Sequence, residues 1–169
     1  DGIIGIGGEE SAGASFLKKD GTVWTTDKDG MIMALLGMEI MAVMGKSALK
    51  MADDFTQSYG EPRFGRIDAP CKKEQKQVLK QLSAELITAT SVDGDPITGI
   101  RTTSTYNNMP IDGVRVETDK GWFVARPSGT EDLYKIYGES YKGDLGLVAL
   151  LTAGEEIVNA ALNGKIDTE

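Results

Sequence analysis

The stretch GWFVARPSGTEDLYKIYGES, residues 121–140, predicts two core strands joined by a polar connection. Apolar and aromatic residues are typical of strands on both sides, whereas the insert between them is polar. The insert contains an arginine, a serine, a glycine and a threonine within five residues. Because a tight turn requires only the glycine or the proline, we interpret the other polar residues as candidates for ligand binding.

The segment RPSGTE, residues 126–131, contains the groups that a small phosphate pocket needs. Arg126 carries a planar fork of donors that matches two phosphate oxygens. Ser128 and Thr130 add hydroxyl donors, and Gly129 allows a close backbone approach, so that N–H groups can surround an anion. A hairpin turn with a surface arginine is equally compatible with these residue types. The segment is too short for a Walker-type loop and lacks its lysine.

The surrounding pattern predicts an α+β fold, in which an antiparallel sheet is backed by helices. Asp119-Lys120-Gly121 is typical of a hairpin turn between two strands. The predicted strands are RFGRID (63–68), GVRVETD (113–119), GWFVARP (121–127) and LYKIYGES (133–140). The predicted helices are residues 71–86, with Val78, Leu79, Leu82 and Leu86 inward, and a final helix from Asp144, its expected cap, toward Gly164.

The first third of the chain has a different pattern. DGIIGIGG begins as an apolar strand, GGEESAGAS follows as a predicted loop, and KKDG (18–21) is a predicted turn. A helix is expected over residues 29–44, capped by Asp27 or Asp29 and ended by Gly45. A second helix covers residues 47–60. It stops at the Gly-Glu-Pro breaker at 60–62, which is the candidate domain boundary.

The segment GGEESAG, residues 7–13, has the opposite electrostatic character to the arginine loop. Glu9 and Glu10 would repel phosphate, but a carboxylate can accept hydrogen bonds from two neighbouring sugar hydroxyls. Ser11 adds both a donor and an acceptor. An acidic loop in solvent is the alternative interpretation. Taken together, one loop suited to hydroxyls and one suited to phosphate suggest a phosphosugar ligand.

Composition excludes several other function classes. The net charge of −8 argues against binding to nucleic acid or to an anionic membrane. No segment approaches the roughly 18 uninterrupted apolar residues of a membrane span. The complete lack of histidine excludes a Ser-His or Cys-His catalytic pair within this chain. The single cysteine, Cys71, fits a reducing compartment and is expected to be an inert surface thiol.

Three segments together carry a family resemblance. GGEESAG, then TTDKDG before a helix, then WFVARPSGTEDLYKIYGES resemble the C-terminal part of bacterial phosphoglucomutases of the α-D-phosphohexomutase superfamily. The resemblance implies that residues 1–56 are the end of the third, α/β domain. It implies that residues 57–169 are the fourth, TATA-box-binding-protein-like domain. The implied sugar contacts are Glu9 and Ser11, and the implied phosphate contacts are Arg126, Ser128, Gly129 and Thr130.

The resemblance also implies a reaction, the interconversion of glucose 1-phosphate and glucose 6-phosphate. In this family a phosphoserine donates its phosphoryl group, glucose 1,6-bisphosphate is the intermediate, and Mg²⁺ held by aspartates assists the transfer. Lys28 in TTDKDG matches a lysine that some members place near the reacting phosphate. A surface lysine at the start of a helix is the alternative for that residue. Selectivity for glucose over mannose is left open.

The family's nucleophile loop and metal loop are not found in this sequence. Asp93-Gly94-Asp95 resembles the start of the metal loop but continues Pro-Ile-Thr, so we expect a turn there. The resemblance therefore predicts a cytoplasmic phosphoglucomutase fragment that is inactive by itself and could associate through the apolar residues 31–44. Its partner would be a hexose phosphate. The alternatives are a free-standing phosphosugar-binding module and a structural domain that retains only the fold.

Overall fold

The computed structural model describes residues 5–8, 13–22, 24 and 29–164. These residues fall into two compact units, with the division between Ser58 and Tyr59. The elements of the first part of the chain are strands β1 (Ile6–Gly8) and β2 (Ala14–Phe16), followed by helices α1 (Gly30–Met44) and α2 (Ala48–Tyr59).

Strands β1 and β2 form an antiparallel pair in which Gly8 lies opposite Ala14. The sequence predicted β1 but placed residues 14 and 15 in a loop, which is wrong. Small residues such as those of Ala-Gly-Ala-Ser show no alternation of apolar and polar side chains, so the period-two signal of a strand is missing. The turn predicted at residues 18–21 is confirmed, since the Gly21 N–H donates to the Lys18 carbonyl at 2.9 Å.

Helix α1 has the ends that the sequence predicted. The Asp29 carboxylate accepts a hydrogen bond from the Ile32 N–H at 3.0 Å, and this satisfies a donor that the first turn leaves free. Gly45 ends the helix with φ of 61°, a left-handed conformation that glycine adopts without a steric penalty. The structure thus selects Asp29 as the cap, while Asp27 lies outside the described residues.

The apolar residues of α1 are uncovered. No residue of this helix is buried, and Met31, Leu35 and Val43 expose 80%, 61% and 78% of their surface. This confirms the expectation that residues 31–44 present an apolar surface. Glu39 is the one charged residue among these 14, so little electrostatic repulsion opposes the association of two such surfaces.

The second unit is a six-stranded antiparallel sheet with two main helices. Its elements are β3 (Arg63–Pro70), α3 (Lys73–Lys80), a 3₁₀ turn (Ala84–Leu86), β4 (Ser91–Val92), β5 (Asp95–Thr103), β6 (Pro110–Thr118), β7 (Gly121–Pro127), β8 (Leu133–Ser140) and α4 (Gly143–Leu162). The strand order is β3-β8-β7-β6-β5-β4. The four predicted strands and the α+β class are confirmed, whereas β4 and β5 were missed.

Alternation along β7 and β8 divides the sheet into two faces. Phe123, Ala125 and Ile136 point to one face and are fully buried, together with the inward residues of α4. Gly154 allows α4 to lie close to the sheet, because a β-carbon there would come within 2.8 Å of Ile136 Cγ2. By length and composition α4 could cross a membrane, but this packing makes it the core helix of the unit.

Helix α3 is shorter than predicted, because it ends at Lys80 and not near residue 86. Leu82 lies beyond the end of the helix and is still buried, with only 4% of its surface exposed. Leu79 is fully buried, but Val78 is 40% exposed, so the prediction that both point inward is wrong for Val78. The prediction that Asp144 caps α4 is also wrong. Lys142 occupies the cap position, and Asp144 lies in the first turn of the helix.

The prediction that Cys71 is a surface thiol is wrong, since only 2% of the residue is exposed. It follows β3, and its N–H donates to the Asp132 carbonyl at 3.0 Å. Burial raises the pKa of the thiol, which disfavours the reactive thiolate. The flanking Pro70 and Lys72 suggested an exposed thiol. Neighbours in the sequence do not show that the end of a strand packs against the core.

The open face of the sheet is charged. Glu117 on β6 accepts hydrogen bonds from Arg115 Nε at 2.6 Å and from Arg101 Nε at 3.2 Å. Arg115 also lies over the Trp122 ring, with Cζ 4.4 Å from the ring centroid. The Arg115 hydrogen bond, with a smaller contribution from Arg101, lowers the pKa of Glu117.

We expect this chain to self-associate through α1. Replacing Leu35 and Val43 by lysine should give a monomer, because two charges on the apolar surface oppose its burial. Leu145→Lys on α4 is the control, since Leu145 is 85% exposed but lies in the other unit. Sedimentation velocity over a concentration series is the measurement. A wild-type chain that stays monomeric while α1 is helical would contradict the expectation.

The ion pair of Glu117 predicts a pH dependence. A lowered folded-state pKa gives a stabilisation that is present above the unfolded-state pKa and is lost as the pH falls through the folded-state pKa. A double-mutant cycle of Glu117→Gln and Arg115→Gln should give a coupling of about 0.5–1 kcal/mol at neutral pH, since the pair is partly exposed. Urea unfolding measures it. A coupling that stays unchanged at a pH well below the lowered folded-state pKa of Glu117 would refute the ion pair.

Candidate functional site

The arginine loop borders a polar pocket of about 610 Å³ in the second unit. The loop connects β7 to β8, and the pocket continues to the start of β6 and the end of α3. Its lining residues are Lys80, Pro110, Ile111, Asp112, Arg126, Pro127, Ser128, Gly129, Thr130, Lys135 and Tyr137. The structure therefore brings together the four residues that the sequence selected as phosphate contacts.

The side chain of Arg126 lies on the open face of the sheet. The alternation that buries Ala125 and Pro127 turns the residue between them outward. Its guanidinium Cζ is 6.0 Å from the centroid of the Tyr137 ring. The chain has five arginines, all within the described residues, and the other four form ion pairs with carboxylates. Arg126 alone forms none there.

The backbone of the loop is held by its own hydrogen bonds. The Ser128 N–H donates to the Leu133 carbonyl at 2.8 Å, and the Glu131 N–H donates to Ser128 Oγ at 3.2 Å. Between these two bonds, the N–H groups of Gly129 and Thr130 and the Thr130 hydroxyl have no acceptor among the described residues. Gly129 and Thr130 line the same pocket as Arg126.

The glycine of the loop is not required by the protein. A β-carbon at Gly129 would meet no atom within 4 Å, and the residue does not adopt a left-handed conformation. Packing and backbone geometry would therefore accept a larger side chain here. A ligand that approaches the backbone closely would not accept one, since any side chain would occupy its place.

Lysines from outside the loop fix the loop's acidic end. Lys76 on α3 bonds Asp132 Oδ1 at 3.0 Å and the Glu131 carbonyl, and its side chain is only 15% exposed. Lys135 on β8 bonds Glu131 Oε2 at 2.6 Å. This hydrogen bond lowers the pKa of Glu131 and raises the pKa of Lys135. The loop is thus tied to α3 and to β8 while its Gly129–Thr130 tip is left open.

The electrostatics of the pocket favour an anion. Three cationic side chains line it, namely Lys80, Arg126 and Lys135. Lys80 Nζ is 3.7 Å from Asp112 Oδ2, a long ion pair, and Lys135 is paired with Glu131. Arg126 therefore contributes a charge that no carboxylate in the described part of the chain neutralises. A guanidinium with two backbone N–H groups and a hydroxyl can bind a phosphate dianion through several charge-assisted hydrogen bonds.

The other predicted site residues, Glu9, Ser11 and Lys28, lie outside the described residues. The structure describes only what adjoins them. In the sequence, Glu9 and Ser11 lie between β1, which ends at Gly8, and β2, which begins at Ala14, and Lys28 immediately precedes the Asp29 cap of α1. Their roles remain those that the sequence motifs predict.

The prediction that Asp93-Gly94-Asp95 is a turn is confirmed. It joins β4 to β5, and Asp93 and Gly94 have φ of 50° and 77°. Lys142 Nζ pairs with the carboxylates of Asp93 at 2.8 Å and Asp95 at 3.2 Å. Both acidic groups are therefore neutralised by a lysine. Nowhere in residues 29–164 or the shorter described stretches do three acidic, cysteine or histidine side chains gather as a metal site.

The sequence did not identify Lys80, Asp112, Lys135 and Tyr137 as lining residues. Two of them had a signal, since Lys135 and Tyr137 share the outward parity of β8 and Lys135 pairs directly with Arg126 across the hairpin. The other two come from α3 and from an irregular part of β6. No spacing in the sequence connects those elements to the loop.

Two family models match this chain. The model for the phosphoglucomutase/phosphomannomutase α/β/α domain III matches residues 1–59, and the model for the C-terminal domain matches residues 67–146. A phosphoglucomutase of Komagataeibacter xylinus is 48% identical over 95% of this chain. A probable phosphoglucosamine mutase of Pyrococcus horikoshii is 26% identical over 94% of it.

The fold is also found in a solved structure. A crystal structure of a phosphoglucomutase/phosphomannomutase family protein from Burkholderia thailandensis superimposes with a TM-score of 0.59 over 95% of this chain, at 22% identity. The chain spans 29% of the length of that protein and of the Komagataeibacter relative, and 30% of the Pyrococcus relative. Because both family models match in the expected order and together account for most of its residues, the chain belongs to the phosphoglucomutase/phosphomannomutase family.

Proposed function

We propose that this chain supplies the sugar and phosphate recognition of a phosphoglucomutase, an isomerase that interconverts glucose 1-phosphate and glucose 6-phosphate. The observation that carries the proposal is the guanidinium of Arg126, which forms no ion pair with the described residues, in one pocket with Gly129 and Thr130, whose N–H groups have no acceptor among those residues. The identity to a phosphoglucomutase over 95% of the chain supports the choice of reaction.

The proposed task of the pocket is to hold the phosphate that is not reacting. Arg126 would bind two of its oxygens, and the Gly129–Thr130 tip with the Ser128 and Thr130 hydroxyls would bind the others. Binding energy spent on this distal phosphate positions the sugar for transfer at its other end. Glucose 1,6-bisphosphate must leave the pocket and return reversed, so the site has to bind either phosphate.

The sugar would be held by the first unit. In the family motif Glu9 and Ser11 contact hydroxyl groups, and Lys28 lies near the reacting phosphate. Mg²⁺, when bound by aspartates elsewhere in the complete enzyme, would stabilise the transferring phosphoryl group. The described part of this chain has no carboxylate cluster suited to that ion, so its residues are assigned to binding and orientation only.

A free-standing phosphosugar-binding module is the second candidate function. It is favoured by the fact that the phosphate pocket is built entirely from residues of the second unit, from Lys80 to Tyr137. Such a module would bind a hexose phosphate without converting it. For either function we propose a cytoplasmic location and no role for nucleic acid or membrane, in line with the charge of −8 and the single buried cysteine.

This chain alone should show no mutase activity, because its sequence contains neither the nucleophile loop nor the metal loop of the family. A coupled assay with glucose 1-phosphate, glucose 1,6-bisphosphate and Mg²⁺ measures it. The wild-type chain and the Arg126→Ala variant, purified in the same way and assayed over a range of concentrations, separate true activity from contamination. Turnover that scales with wild-type chain and disappears with the variant would overturn the expectation.

Replacing Arg126 should weaken phosphosugar binding with little effect on folding. Arg126→Lys keeps one charge but loses the fork, so we expect a tenfold to hundredfold loss of affinity, or about 1.5–3 kcal/mol. Arg126→Ala should bind more weakly still. Titration of glucose 6-phosphate followed by NMR gives the affinities, and thermal unfolding gives the stability.

Arg63→Ala is the matched control for that experiment. It removes the same charge, but Arg63 pairs with Glu61 at 2.9 Å and with Asp144 at 3.3 Å, far along the sheet from the loop. Equal affinity in wild type, both Arg126 variants and the control would refute the phosphate site. A large loss of stability on replacing Arg126 would assign that residue a structural role.

A further inference from the structure

Strand β6 has no room for a side chain at Gly113, which lies beside Arg126 of β7. The regular pairing of the two strands runs from Thr118 opposite Gly121 to Val114 opposite Ala125. Gly113 is the next residue along β6, and it lies against the backbone of Ala125 and Arg126. A β-carbon on Gly113 would overlap the Ala125 carbonyl oxygen and would lie 2.6 Å from Arg126 Cβ and 2.9 Å from Arg126 Cα.

These contacts leave no easy relief for a larger residue. The atoms that a β-carbon would meet are backbone and β-carbon atoms, which cannot rotate away as the end of a long side chain can. Gly113 is also buried, so the segment cannot move outward without opening the sheet. Any residue other than glycine must therefore push the Ala125–Arg126 backbone away, and with it the first residue of the phosphate loop.

The close approach results from an irregularity in β6. The pairing between β5 and β6 shifts between Arg101 and Thr103, so that β6 has more residues than its partner over this stretch. Within it, Asp112 has φ of 53°, a left-handed conformation that aspartate and asparagine adopt more readily than other residues with a side chain. Bulges of this kind bend a strand and re-aim its neighbours, and they are frequent beside functional sites.

The contrast with Gly129 shows what is specific to Gly113. At Gly129 the protein itself would accept a β-carbon, whereas at Gly113 the protein excludes one, and the excluded space belongs to Arg126. Gly113 does not line the pocket, so it has no direct contact with a ligand there. Its effect on binding would act entirely through the residue that it adjoins.

We propose that the bulge residues Asp112 and Gly113 are positioning residues, which set the backbone of Arg126 at the angle that phosphate binding requires. This inference rests on the proposed function of the Arg126 pocket and adds a requirement on a neighbouring strand. The structural part, that Gly113 fixes the loop base, can be tested without any ligand.

The test compares two glycines of the same sheet in the 169-residue chain. Gly113→Ala places a β-carbon against Arg126. Gly121→Ala places one 2.5 Å from the Glu139 carbonyl oxygen and 2.6 Å from Leu150 Cδ1, at the opposite end of β7. Both variants should lower the melting temperature. Only Gly113→Ala should weaken glucose 6-phosphate binding, by about tenfold or more, while Gly121→Ala should stay within about twofold of wild type.

Backbone amide shifts of residues 126–130, recorded by NMR before ligand is added, give the second readout. Gly113→Ala should move these resonances and Gly121→Ala should leave them unchanged. If wild type fails to bind glucose 6-phosphate, the proposed function is wrong, and these shifts alone then decide whether Gly113 positions the loop. Equal binding and equal loop shifts in the two variants would overturn the inference.

A second pair of variants covers the case in which Gly113→Ala does not fold. Asp112→Asn and Asp112→Val remove the same carboxylate from the pocket, so their electrostatic effects match. Asparagine tolerates a left-handed conformation, but β-branched valine does not. Valine should therefore shift the loop amides and weaken binding relative to asparagine. Identical shifts and affinities for the two would overturn the positioning role of the bulge.

Discussion

The alternation of side chains along the β7–β8 hairpin is the constraint on which the rest of the second unit depends. Phe123, Ala125 and Ile136 must face α4 to form the core, and this fixes the residues between them on the opposite, open face. A shift by one residue would bury Arg126 and expose Phe123, at the cost of an unpaired buried charge and a lost core. Core packing and the position of the candidate ligand-binding arginine are therefore set by the same register.

Much of this arrangement could be predicted from the sequence, because the hairpin carries its information locally. The two strands, the loop at Arg126 that joins them and the turn at Asp119-Lys120-Gly121 that leads from β6 into β7 each have a pattern within about ten residues. What the sequence did not predict depends on distant partners. Helix α3 ends at Lys80 while Leu82 beyond it is buried in the core, and Cys71 is buried in a core cluster most of whose members lie far from it along the chain. Strands β2 and β4 have only three and two residues, which are too few to show a period.

The candidate site divides in the same way. The predicted phosphate contacts lie within five residues of the sequence and can be recognised as one loop, namely Arg126, Ser128, Gly129 and Thr130. Lys80 and Asp112 reach the pocket only through the topology, since α3 and the start of β6 meet the hairpin in space and not in sequence. Lys76 is a related case, because it holds the acidic end of the loop from a helix more than fifty residues away. Electrostatic pairing of this kind is invisible until the fold is known.

Glycine illustrates how a fold and a ligand can demand the same residue for different reasons. At Gly113 the demand comes from the protein, since the space of a side chain is filled by the neighbouring strand. At Gly129 the space is empty and the backbone is unstrained, so the fold alone gives no reason for glycine. The proposed site, which would admit a phosphate from either end of a hexose, would need both conditions at once. The base of the loop has to be rigid so that the Arg126 fork keeps its direction, and the tip has to stay bare so that the anion can enter and leave. The bulge in β6 would supply the first condition, and the open tip of the loop would supply the second.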